Sequence, residues 1–113
     1  MRRALKFRAW NGETMISPDY ITRDGIAHWK ENSIPTSSDK IMQFTGLHDK
    51  NGKEIYEGDI VQRGVIVFER GKFQGCYFDG NGNLEETWED DLYQERKIEV
   101  LGNIYENPEL LKD

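Results

Sequence analysis

Turn-forming residue pairs recur at short intervals along this chain, and they constrain its fold more than any other feature. Asn11-Gly12, Asp24-Gly25 and Asn51-Gly52 each separate two short apolar segments. Such pairs favour tight hairpins, because glycine and asparagine adopt positive φ at little cost. Turn signals roughly every 8–12 residues are typical of small barrels and sandwiches. The spacing predicts about seven to nine short strands.

The segments between the turns alternate as half-buried strands do. Leu5, Phe7 and Ala9 fall on one face of the first segment, and basic residues fall on the other. Residues 65–68 form the most apolar strand candidate, and residues 73–78 return beside it. We therefore expect a mainly β fold, a small barrel-like or sandwich domain of short antiparallel strands.

Three segments depart from this pattern. Residues 31–39 are polar and contain a proline, which predicts a mobile loop. Residues 89–97 begin with acidic and end with basic residues, as a short helix does. Asn107-Pro108 is typical of a helix start, with Asn107 as the N-cap. We expect one or two short helical turns near the C-terminus.

Length and cysteine content limit the class of protein. A chain of 113 residues is expected to form a single domain, residues 1–113. Its one cysteine, Cys76, allows no intrachain disulfide and fits a reducing compartment. No apolar run is long enough for a signal peptide or a membrane span. These features predict a soluble cytoplasmic protein without a membrane partner.

The charge balance bears on partners. The net charge is −6, and basic residues form no stripe. Nucleic acid is therefore disfavoured as a partner, because phosphate binding uses clustered lysine and arginine. An acidic surface suits solubility or a basic protein partner. The acidic run Glu85, Glu86, Glu89, Asp90 and Asp91 is a candidate face for a basic host or phage protein.

Residues that support chemistry are scattered. His28, His48 and Cys76 lie far apart in sequence, without a zinc-binding spacing. Residues 79–83 begin like a calcium loop, but Leu84 replaces the glycine that such a loop requires, so a plain turn is favoured. We predict no catalytic, metal-binding or cofactor-binding residues and no cofactor, and we do not expect an enzyme.

Three segments carry a resemblance to a known family. They are Lys6–Trp10 (KFRAW), Gln43–Val61 (QFTGLHDKNGKEIYEGDIV) and Val100–Leu111 (VLGNIYENPELL). In order and spacing they resemble the YopX family over the whole chain. The resemblance implies a phage or prophage protein in the cytoplasm of a bacterial cell, of unassigned function, that assembles into a homo-oligomer. It supplies no catalytic or binding residues to carry over.

The central signature has two interpretations. Asp49, Tyr56, Glu57 and Asp59 could form a ligand or partner surface. The favoured interpretation is that they build the fold, because aspartate and glycine in tight turns bond to the backbone and supply positive φ.

Three hypotheses for function follow from these features. The first is a non-enzymatic phage accessory protein that acts through protein–protein contacts. The second is a nucleic-acid-associated small β-barrel module that stacks bases on its aromatic side chains, namely Phe68, Phe73, Tyr77 and Phe78. The third is an unrecognised hydrolase.

Overall fold

The computed structural model describes residues 5–62, 64–79, 81, 83–88 and 98–111. Within these ranges the chain is mainly β, as predicted. The predicted helix at 89–97, which includes three residues of the acidic run, lies outside the described residues. The strands are β1 (Phe7–Trp10), β2 (Met15–Ile16), β3 (Tyr20–Ile21), β4 (Ala27–Glu31), β5 (Ile34–Ser38), β6 (Ile41–His48), β7 (Glu54–Tyr56), β8 (Asp59–Val61), β9 (Gly64–Glu69), β10 (Lys72–Phe78), β11 (Leu84–Thr87) and β12 (Val100–Asn103).

The described strands form three antiparallel sheets, one of them a half-barrel. Their orders are β2-β1-β6-β7, β11-β10-β9-β8-β12 and β3-β4-β5. The strands outnumber the prediction because several are only two or three residues long. Tight turns separate neighbouring short strands. The turn between β7 and β8, for example, contains Gly58 at φ of 86°.

The chain divides into two compact units, residues 1–44 and 45–113. The first unit holds β1 to β5 and the start of β6. Its core consists of Ala9, Ala27 and Trp29, and three partly buried isoleucines pack against them, at positions 16, 21 and 41. Of the three apolar residues predicted to share one face of the first strand, Ala9 is fully buried and Phe7 is partly buried, whereas Leu5 is 65% exposed and precedes β1.

The second unit contains the five-stranded sheet. Its core is formed by side chains from several strands and from the segment before β12, namely Ile55, Val61, Ile66, Trp88 and Ile98. The indole of Trp88 lies against Gly75 so closely that a Cβ there would sit 2.3 Å from the ring. Gly75 thus has a packing role, because only the bare backbone admits the indole.

The hairpins predicted from Asn-Gly and Asp-Gly pairs are confirmed. Gly12, Gly25 and Gly52 have φ of 102°, 86° and 84°. In the first hairpin, Trp10 pairs with Met15, so four residues connect the strands. The second pairs Tyr20 with His28 across a loop closed by glycine.

The prediction of a mobile loop at residues 31–39 is wrong, because this segment contains β5. Glu31 pairs with Ile34, leaving Asn32 and Ser33 as a two-residue turn. Their φ values are 51° and 68°, as a type I′ hairpin turn requires. Pro35 is tolerated because β5 is an edge strand, where a missing N–H costs no ladder bond.

A short 3-10 helix, Pro108–Leu111, confirms the predicted C-terminal helical turn. The side chain of Asn107 does not cap this helix as predicted. The backbone carbonyl of Asn107 accepts from the N–H of Leu110 at 3.0 Å. Its side-chain Oδ1 accepts from the N–H of Asn103 at 3.2 Å instead. The side chain therefore closes the turn before the helix rather than the helix itself.

Candidate functional site

The two long signature segments of the sequence meet inside the second unit. The N–H of Ile104 donates to the carbonyl of Gly58 at 3.0 Å, and just before the last segment the carbonyl of Ile98 accepts the N–H of Lys50 at 2.9 Å. We call this region the signature cluster, defined by Asp49, Gly58, Asp59, Asn103 and Asn107. It joins residues about half the chain apart, so its hydrogen bonds include long-range tertiary contacts.

Asp49 is the central side chain of the cluster and is only 8% exposed. Its Oδ1 accepts the N–H groups of Asn51 at 2.8 Å and Lys53 at 2.9 Å. Its Oδ2 accepts the N–H of Val100 at 3.0 Å. One carboxylate therefore closes its own turn and fastens β12 beside it.

These donors also govern the protonation of Asp49. Burial alone would raise the pKa of this carboxyl, because it removes water from the charged form. The N–H donors of Val100, Lys53 and Asn51, together with the charge of Lys53, outweigh burial and hold the pKa below 3.8. Asp49 is thus a buried anion stabilised by backbone donors.

The other three residues of the proposed ligand surface are divided between interior and surface. Asp59 is 1% exposed, and its Oδ2 accepts the N–H of Tyr56 at 2.7 Å. Tyr56 and Glu57 are half-buried. The hydroxyl of Tyr56 donates to Glu54 at 3.3 Å. Of the four predicted residues, the structure leaves only Tyr56 and Glu57 with substantial contact to solvent.

Asn103 was not predicted as a structural residue, and Asn107 was predicted only as a helix N-cap. The Oδ1 of Asn103 accepts the N–H groups of Tyr105 at 3.1 Å and Glu106 at 2.9 Å. Gly102 is required beside them, because a Cβ there would lie 2.4 Å from Asn107 Oδ1. The signal was present in the spacing Gly-Asn-x-x-x-Asn, since asparagine commonly bonds to its own turn.

Thr45 and Gly46 explain another part of the central signature. Gly46 lies within β6 at φ of 88°, so the strand bends there. The hydroxyl of Thr45 accepts the N–H of Leu47 at 3.1 Å and donates to the carbonyl of Ile55 at 2.8 Å. The hydroxyl thus satisfies backbone groups at the bend.

The aromatic residues of the hairpin β9–β10 do not all share one face. Phe68 pairs directly with Phe73, and their rings meet edge to face with centroids 5.0 Å apart. Tyr77 lies on the same face of β10, since side chains alternate along a strand, whereas Phe78 lies on the other. Phe68 is 52% exposed, so this face reaches solvent at the hairpin tip.

The described part of the acidic run lies on β11, at one edge of the five-stranded sheet. Glu85 and Glu86 are exposed, and Leu84 beside them is 50% exposed. Glu89, Asp90 and Asp91 lie outside the described residues. The structure therefore places the first two carboxylates on a solvent-facing edge strand.

The remaining chemistry-bearing groups have local structural partners. The Tyr20 and His28 rings stack with centroids 4.8 Å apart. Cys76 is buried on β10, and burial raises the pKa of its thiol. Asp79 accepts the N–H groups of Asn81 and Asn83 inside its own turn, at 2.7 and 3.2 Å. Among the described residues, no three His, Cys, Asp or Glu side chains gather to hold a metal ion.

Comparisons with known proteins agree with the architecture. The family model described as YopX protein matches residues 6–112. The chain is also similar to a solved structure, protein EF1440 from Enterococcus faecalis, with 26% identity and a TM-score of 0.53. That match covers 98% of this chain and 100% of the other. No curated protein matches the chain. In the described ranges, no helix is long and apolar enough to cross a membrane.

Proposed function

This chain belongs to the YopX protein family. We propose that its signature segments hold together a scaffold that acts non-enzymatically through protein–protein contacts. In this proposal the protein is a phage or prophage accessory protein in the bacterial cytoplasm. Its work is done by surface strands that meet a partner.

The use of the signature carboxylates supports this proposal most strongly. Asp49 and Asp59 accept backbone N–H groups at 2.7 to 3.0 Å and are at most 8% exposed. A catalytic acid or base needs access to substrate and a pKa near the working pH. A carboxylate held as a buried anion by three N–H donors meets neither need, and it suits a structural role.

Exposed apolar side chains on the second unit supply surface for contact. Phe68, Leu84 and Leu101 are 52%, 50% and 49% exposed, and each lies on a strand. Rigid strands present such side chains at low entropic cost, which favours binding. We propose self-assembly into a homo-oligomer as part of the same function, through the exposed side chains of Phe68 at the hairpin tip and Leu101 on β12.

Affinity capture tests the proposal. The tagged protein is incubated with lysate of the bacterium that carries its gene, with and without nuclease, and every retained protein is identified and quantified. We expect a stoichiometric protein that survives nuclease treatment. Retention of nucleic acid alone, or of proteins that are all lost with nuclease, would contradict the proposal.

A second candidate function is binding of single-stranded nucleic acid. The observation that favours it is the ring of Phe68, which is 52% exposed near the hairpin tip, because bases stack on aromatic rings in small β domains. Arg70 and Lys72 lie at the same hairpin tip. A labelled oligonucleotide whose binding weakens steeply with salt, and is lost in Phe68→Ala, would support this function over protein contact.

A further inference from the structure

We propose that the β11 edge of the five-stranded sheet accepts an extended, basic segment of a partner protein as an additional strand. The inference rests on the proposed function, because it names the surface and the chemistry of the partner. Strand addition uses unpaired backbone groups for affinity and side chains for selectivity.

The opposite edge of this sheet is closed by side chains. Three N–H groups near β12 donate to side-chain oxygens: Glu99 to Gln62 at 2.9 Å, Val100 to Asp49 at 3.0 Å and Asn103 to Asn107 at 3.2 Å. Edge strands expose backbone groups that invite pairing, and proteins commonly cover them. Capping by the signature cluster makes β12 a poor template for another strand.

The β11 edge has no equivalent capping by the described residues. The N–H of Trp88 donates to the carbonyl of Gly75 at 2.8 Å, so residue 88 points its backbone toward β10. The backbone N–H groups of successive residues point to opposite sides of a strand. The N–H of Thr87 therefore points away from β10, outward from the edge of the sheet. Thr87 pairs with Cys76 as a non-hydrogen-bonded pair, which leaves its donor for an incoming strand.

Charge selects the occupant of this edge. Glu85 and Glu86 are exposed on β11 beside the half-exposed Leu84. A second copy pairing here would bring like charges together, which is destabilising across strands. A segment with lysine or arginine gains opposite-charge pairs, so the carboxylates discourage self-pairing and favour a basic strand.

A peptide probe tests the inference on the full-length protein. The probe is a short capped peptide that alternates lysine and threonine, and its counterpart carries glutamate in place of lysine. Binding is followed by NMR titration, and the amide exchange of Thr87 is measured with and without peptide. We expect the lysine peptide to bind and to slow exchange at Thr87 by about tenfold, the effect of one net backbone hydrogen bond.

Two charge-reversed variants with the same change in net charge sharpen the test. In Glu85→Lys/Glu86→Lys we expect the affinity to fall about tenfold, through loss of two exposed ion pairs. The control Glu13→Lys/Glu109→Lys changes two exposed carboxylates outside β11 and should bind as the native protein does. Equal weakening in both variants, or binding without slower exchange at Thr87, would overturn the inference.

Other occupants give different results. Slower exchange at Thr87 as protein concentration rises, without peptide, would assign the edge to a second copy. Displacement of the lysine peptide by a single-stranded oligonucleotide would assign it to nucleic acid. Either result overturns the inference. If Glu85→Lys/Glu86→Lys retains a captured protein as well as the native protein does, this inference is wrong but the proposed function still holds. If no protein is captured at all, the proposed function is wrong.

Discussion

The carboxylate of Asp49 makes hydrogen bonds both within its own turn and to a residue far away in the sequence. Its sequence neighbours, Asn51 and Gly52, predict a tight turn, and an aspartate that accepts N–H groups within its own turn is expected there. The bond from its Oδ2 to Val100 is not predictable from the sequence, because the two residues are 51 positions apart. Local chemistry predicts the turn, and packing supplies the distant partner.

Replacing Asp49 measures the strength of this contact. Asp49→Asn keeps one oxygen but turns an amide NH₂ toward backbone donors, so at least one N–H loses its acceptor. We expect the free energy of unfolding to fall by about 1–3 kcal/mol, as for other buried donors left unsatisfied. Urea denaturation at neutral pH measures the change.

Asp39→Asn is the matched control. The Asp39 side chain is 72% exposed and has an ion pair with Lys40 at 3.4 Å. Exposed pairs contribute little, so we expect a change within about 0.5 kcal/mol. Equal losses in the two variants would show that Asp49 does not fasten β12.

At the scale of elements, the β4–β5 hairpin shows where sequence patterns fail. Residues 31–39 are polar because most of β5 faces solvent at a sheet edge, so the segment lacks the apolar alternation of a half-buried strand. The turn signal at Asn32-Ser33 is weaker than Asn-Gly, since serine seldom adopts positive φ. The glycine-containing hairpins carried enough local information to be predicted, and this one did not.

Ser33→Gly should stabilise the β4–β5 hairpin. Ser33 adopts φ of 68°, a region that costs an L-residue about 1–2 kcal/mol and glycine much less. After the entropic cost of glycine, we expect a gain of about 0.5–1 kcal/mol in the free energy of unfolding. Ser37→Gly, within β5, should instead lower stability, and thermal or urea unfolding of both variants compares them. A loss in Ser33→Gly would contradict the assigned turn.

The contact between β10 and Trp88 gives a second prediction for an element. In Gly75→Ala the added methyl would lie 2.3 Å from the indole, so Trp88 must move. We expect a loss of about 1–3 kcal/mol from overpacking, measured by urea denaturation. If contact with the indole is the cause, Trp88→Leu should reduce the effect of Gly75→Ala by at least about 0.5 kcal/mol in a double-mutant cycle. Strict additivity would indicate another cause.

At the scale of the whole molecule, stability should fall in acid. The N–H donors of Val100, Lys53 and Asn51 outweigh burial and hold the pKa of Asp49 below 3.8. Hydrogen bonds from Asn11, then Trp29, lower the pKa of Glu31 below 4.5.

A carboxyl with a lowered folded-state pKa contributes stability above its unfolded pKa and loses it as pH falls through the folded value. We therefore expect unfolding to become easier as pH drops below about 4.5. Urea midpoints across this range measure the fall, which should be shallower in Asp49→Asn. An identical pH dependence in that variant would exclude a major role for Asp49.

The mainly β class and most hairpins were predictable, because they depend on turn residues and alternation within short windows. The order of the sheets was not, since strands such as β8 and β12 pair across some forty residues. The same limit applies to the candidate surfaces. The sequence identified Glu85 and Glu86 as acidic, but only the sheet order shows that they lie on an edge strand.

In the five-stranded sheet, the signature cluster closes the β12 edge, and we propose that the β11 edge is open to a partner strand. Amide hydrogen exchange of the free protein tests both parts at once. We expect the N–H groups of Lys53 and Val100 to be among the slowest, and that of Thr87 to exchange at least about tenfold faster. Protection of Thr87 equal to that of Val100, or rapid exchange at Val100, would contradict the account.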